Sequence, residues 1–171
     1  MKRKIICALL LAALVCGAAS CGGDKPAATT TKAAETTAAP KPDASAGEIA
    51  SAVLEAVPIN SAFEKKKESL EDYFDDLKTD SIVDSSYYIC ASGAYPDEIA
   101  IFRFDSADSA KNAVAAVENR LEYQKSTYKD YTPAEYYKLE DAVIEQRGEW
   151  LIYTVTSDNA KAKDIALGFI A

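Results

Sequence analysis

Histidine is absent from all 171 residues, which removes the usual general base at neutral pH and the commonest transition-metal ligand. Serine and cysteine triads of the ordinary kind are excluded with it. Cysteine is nearly as scarce. Of four, only Cys90 lies beyond the first 21 residues, so no internal disulfide can staple a domain there and its stability must come from packing. Cys90 itself sits in the apolar run Tyr87-Tyr88-Ile89-Cys90-Ala91 and reads as a small hydrophobe rather than a reactive thiol. The chain also lacks a glycine-rich phosphate loop, a nucleophile elbow and a cysteine metal cluster, so neither cofactor nor metal is expected. Positive charge is in deficit. From Gly47 onward 13 Lys and Arg face 24 Asp and Glu, a net charge of −11, which argues against nucleic acid as a partner. Such a domain is repelled by anionic membranes and wall polymers unless it is held beside them.

What is present begins at the amino terminus. Lys2, Arg3 and Lys4 precede an uncharged run from Ile5 to Val15, followed by small residues, the order of a secretory signal. The cations stay on the cytoplasmic side while the leucine-rich stretch enters the bilayer. That run is too short for a comfortable span, which takes about twenty residues, so cleavage is expected. Ala18-Ala19-Ser20-Cys21-Gly22 resembles the lipobox of bacterial lipoproteins, with Ala18 where such sites prefer leucine. The resemblance implies a signal peptide over 1–20 and a diacylglycerol, with its palmitate-like chains, on the thiol of Cys21. Two acyl chains give durable attachment where one does not. Cys16 follows the bulky Leu14 and Val15, and Cys7 lies deep in the apolar run, so neither competes.

Residues 21–46 comprise the lipidated cysteine and an Ala, Thr, Lys and Pro segment that cannot offset the entropy of ordering. It reads as a tether reaching roughly 25 to 30 Å on average and roughly 85 Å at full stretch. The remainder, 47–171, is the length of one α+β domain.

Within it, Ser45-Ala46-Gly47-Glu48 is a capping box opening a helix that carries Ile49, Val53 and Val57 and ends near Pro58. Ser61-Ala62-Phe63-Glu64 repeats the signature and predicts a second, irregular helix toward Leu77. Tyr87 to Ala91 and Glu98 to Phe104, separated by turn-forming residues, predict a β-hairpin. Asp105 or Ser106 can cap a long helix with a stripe of Ala107, Ala110, Val114, Val117 and Leu121. Thr132-Pro133-Ala134-Glu135 is a further capping box. Ala142 to Arg147, a tight Gly148-Glu149 and Trp150 to Thr156 predict a second hairpin, and a last helix carries Ala162, Ile165, Ala166 and Phe169. Hairpin, helix, hairpin, helix makes a two-layer α+β domain. Its four antiparallel strands carry both main helices on one face, with the amino-terminal helices as further cover.

Asp130-Tyr131-Thr132-Pro133-Ala134-Glu135, Leu139-Glu140-Asp141-Ala142-Val143, Gly148 and Thr156-Ser157-Asp158-Asn159-Ala160 resemble an uncharacterised family of bacterial lipoproteins, the domain of unknown function 4358. The resemblance runs from about Ala50 to Ile170 in outline. It implies a lipoprotein of a Gram-positive cell with one membrane, and it brings no activity.

Several residue groups bear on chemistry. Tyr123, Tyr128, Tyr131, Tyr136 and Tyr137 lie within fifteen residues and either offer stacking faces or fill the join between two helices, the second being favoured. Asp72, Asp75, Asp76, Asp80 and Asp84 fit no calcium loop and read as a solvated helix end. Asp105 with Asp108, and Glu140 with Asp141, are the carboxylate pairs available to a hydrolase. The leading expectation is a lipid-anchored module on the extracytoplasmic face of the cell membrane that binds an envelope protein, peptide or wall polymer without catalysis. An envelope hydrolase using paired carboxylates is the alternative.

Overall fold

The computed structural model describes residues 44–170, so Cys21 and residues 22–43 of the expected tether lie outside the described residues, while its last three, Ala44, Ser45 and Ala46, belong to the folded part, with Ala44 and Ala46 buried. Helix α1, Ala46–Ala56, starts at the capping box read from the sequence. The Ser45 hydroxyl accepts from the Glu48 N–H at 3.2 Å, and Glu48 accepts from the Ser45 N–H at 2.9 Å. At its other end the Lys161 ammonium donates to the Ala56 carbonyl at 3.0 Å, satisfying one of the orphan acceptors of the last turn.

The second predicted helix does not form. Ala62–Lys65 is instead a short strand, β1, and Lys67–Asp72 a 3-10 turn. Capping propensity is a weak prior there, and the open edge of the next strand supplies backbone partners. The following strand, β2 (Ile82–Cys90), begins five residues before the predicted run and carries an irregularity between Ile82 and Asp84. Its polar first half was invisible to a search for apolar alternation. Strand β3, Glu98–Phe104, and helix α2, Ala107–Tyr131, lie where the sequence places them, with Ser106 as the cap. The Thr132 capping box is not made. Pro133–Glu135 forms a 3-10 turn without a side-chain cap, because the Glu135 carboxylate is drawn to Lys138, in the one-turn helix α3 (Tyr137–Glu140). The closing elements are β4 (Val143–Arg147), β5 (Trp150–Val155) and α4 (Asn159–Leu167); Gly148, at φ 55°, makes the tight β4–β5 turn.

The antiparallel α+β architecture is as expected, with five strands rather than four, in the order β1-β2-β3-β5-β4. The expectation of both helices on one face fails. Ala100, Phe102, Phe104, Leu151 and Tyr153 face α2, whereas Ile99, Ile101 and Ile152 face α1 and α4. The result is three layers. Strands β3 and β5 are apolar on both faces, and a sheet with two apolar faces must be covered twice. Helix α2 approaches through small side chains, Ala110, Ala113 and Ala116, together with Val117, while the predicted Ala107 is exposed.

Candidate binding site

The folded part accounts for most of the residues singled out from the sequence. Cys90 ends β2, buried, with its sulfur 3.3 Å from the Ser92 hydroxyl. The tyrosine group divides. Tyr128 is buried and its hydroxyl donates to the carbonyls of Gly93 and Tyr95, fastening α2 to the β2–β3 turn. Tyr136 packs on the α2-side core, and Tyr123, Tyr131 and Tyr137 are exposed. Asp72, Asp75, Asp76 and Asp80 point to solvent along the 3-10 segments. Asp84 does not belong with them, since its carboxylate takes the Ala46 N–H at 2.7 Å and ties the start of α1 to β2. Asp105 and Asp108 flank the Ser106 cap, exposed. Glu140 is exposed at the end of α3, and Asp141 follows it into a cleft.

Sequence reasoning missed two buried ion pairs. Glu98, at the start of β3, meets the Arg120 guanidinium and the Gln124 amide of α2. The flanking hydroxyls of Tyr87 and Tyr153 are buried against the same carboxylate and lack a hydrogen bond of ordinary geometry. Burial first, and then the Glu98 charge, pushes both phenols well above their usual range. Burial works against the Arg120 charge, but Glu98 outweighs it and raises the guanidinium further. Next to Glu98, Asp97 accepts two bonds from Lys138, at 2.9 and 3.0 Å. Burial raises the Asp97 carboxyl despite that partner. Burial lowers Lys138, yet the bonds to Glu135 and Asp97 leave it raised. The only advance signal was a pair of acids opening an otherwise apolar strand.

Several clefts open on the described residues, among them a broad, shallow one of about 650 Å³ beside α1, between Ser51, Glu55, Glu64 and Tyr88, and two that gather charged side chains. One, of about 370 Å³, lies at the start of α4 among Tyr137, Asp141, Thr156, Asp158, Asn159 and Lys163. Asp158 caps α4 through the Lys161 N–H at 3.0 Å, and Asn159 is spent on Thr156 and the Lys138 carbonyl. The other, of about 420 Å³, opens at the far end of the sheet beside the β4–β5 turn. There Arg103, Trp150 and Arg147 are direct neighbours across β3, β5 and β4. They share the face that α1 and α4 cover further along. Arg103 donates through Nε and Nη2 to Glu149 at 2.8 and 2.6 Å, and its guanidinium stands 5.4 Å from the centre of the Trp150 ring.

Among the described residues no group of three or more acidic or cysteine side chains is placed to hold a metal ion, and no helix is long and apolar enough to cross a membrane. The fold thus defines a small three-layer α+β domain with charged interior clamps and shallow clefts of mixed lining. The chain belongs to the family described as Domain of unknown function (DUF4358), whose model matches residues 56–156. That match spans the sheet and α2 and stops short of α4 and most of α1. No match was found among curated proteins or among solved structures.

Proposed function

We propose that this protein is a bacterial envelope lipoprotein, anchored through lipid on Cys21 at the extracytoplasmic face of the membrane, whose domain is a noncatalytic binding or accessory module. The observation that carries the reading is the order Lys2-Arg3-Lys4, apolar run, Ala18-Ala19-Ser20-Cys21, followed by a segment poor in large apolar residues. A binding role is supported by the use of the buried acids. Asp97 and Glu98 are each engaged by a cation from a helix, an arrangement that fixes packing. Replacing Cys21 with serine is expected to release the domain into the medium or leave the precursor uncleaved. A Cys21→Ser protein that is still processed and lipidated contradicts the anchor.

The hydrolase reading is favoured by one observation, that Asp141 and Asp158 line the same cleft. Cleavage of isolated wall material by the purified protein, lost in Asp141→Asn or Asp158→Asn, would establish it over the binding reading.

A further inference from the structure

The domain is strongly acidic, yet two of its three arginines and the only tryptophan of the chain stand side by side at one end of the sheet. We propose that the cleft framed by Arg103, Trp150 and Arg147 binds an acidic sugar, a saccharide ring bearing a carboxylate or a phosphate. This rests on the envelope-binding reading and names the ligand class of that module.

The two arginines play different parts. Arg103 is committed, held by two bonds to one Glu149 oxygen and laid over the indole, so it orients the ring and closes one side. Arg147 is poised. Its guanidinium reaches Glu145 only at 3.7 Å, too far for a hydrogen bond, and its side chain is 49% exposed. An exposed pair at that length contributes little, so an arriving oxyanion can displace it with two parallel N–H···O bonds. Trp150 and Phe169 supply carbon surface beside that fork, the complement of the C–H face of a pyranose. At about 420 Å³, with the Gly148 turn and the Phe169-Ile170 segment on its sides, the cleft admits a saccharide ring. Over most of the domain an acidic polymer is repelled; here a guanidinium fork faces it.

Trp150 is the single tryptophan, so its emission reports on this cleft alone. The full chain in detergent is titrated with glucuronate, glucose 6-phosphate, glucose and N-acetyl-alanyl-alanine. A saturable change with glucuronate or glucose 6-phosphate, absent with glucose, is expected, and the stronger of the two acids tells carboxylate from phosphate recognition. Arg147→Gln, a change at an exposed position, should weaken that binding by about tenfold with an unaltered circular dichroism spectrum. The proposal is overturned if neither acidic sugar gives a saturable change, if glucose or the dipeptide binds as well, or if Arg147→Gln binds like the parent. Fractionation of Cys21→Ser tests the anchor separately, so either idea can fail while the other stands.

Discussion

Arg120, midway along α2, places its guanidinium on the Glu98 carboxylate at the first position of β3, and Gln124 one turn later donates to the same oxygen at 2.6 Å. The pair joins the long helix to the centre of the sheet, with side chains 12% and 2% exposed. Desolvating two charges offsets most of their attraction, but removing one leaves the other buried and alone. Arg120→Ala should therefore lose about 3–5 kcal/mol of stability, read from the denaturant midpoint. Replacing both partners, as Glu98→Leu with Arg120→Met, should lose less than the single change. A single variant that unfolds at the parental midpoint contradicts the role assigned to the pair.

Tyr87 and Tyr153 give an alkaline signature. They flank Ala100 on the α2 face and are held un-ionised by burial and by Glu98. A phenol whose folded pKa is raised contributes stability that is intact below its ordinary value near 10 and is lost as pH rises above it, because only the unfolded chain can release the proton. Tyrosinate absorbance from this pair should appear only together with loss of circular dichroism. Smooth ionisation of all ten tyrosines in a folded protein would contradict it.

Helix α1 is secured at its start from two directions, by Ser45 and Glu48 along the chain and by Asp84 from β2. Ser45→Ala is expected to lower stability by about 1 kcal/mol. Asp84→Ala removes the link to the sheet and should raise hydrogen exchange in the first turn of α1, a change that amide protection measurements resolve. Unchanged protection in Asp84→Ala would show that the cap alone suffices.

These contacts indicate what the sequence conveyed and why it stopped. Local chemistry was legible: Ser45 with Glu48, Ser106 before α2, Gly148 in its turn and the apolar runs of β3 and β5 all act as their residue types demand. Elements that depend on a distant partner were not. Ala62–Lys65 becomes a strand because β2 offers an edge, and the polar residues Asp84 and Ser86 belong to β2 because Ala46 and Glu64 meet them from elsewhere. The second covered face was latent in the sequence, since Ile99, Ile101 and Ile152 alternate with residues equally apolar, a pattern that a one-sided sheet does not need. Of the candidate site, Trp150 and Arg147 were visible only as neighbours of a turn. Their alignment with Arg103 follows from strand order, which no local pattern contains.

Cys21 is the base on which the functional account stands. Mass spectrometry of the amino-terminal peptide, taken from protein extracted from membranes of the native host, tests it most directly. The account predicts a peptide that begins at Cys21 and carries the mass of a diacylglycerol on its sulfur. A peptide that begins at Met1, or at any residue without that mass, contradicts it.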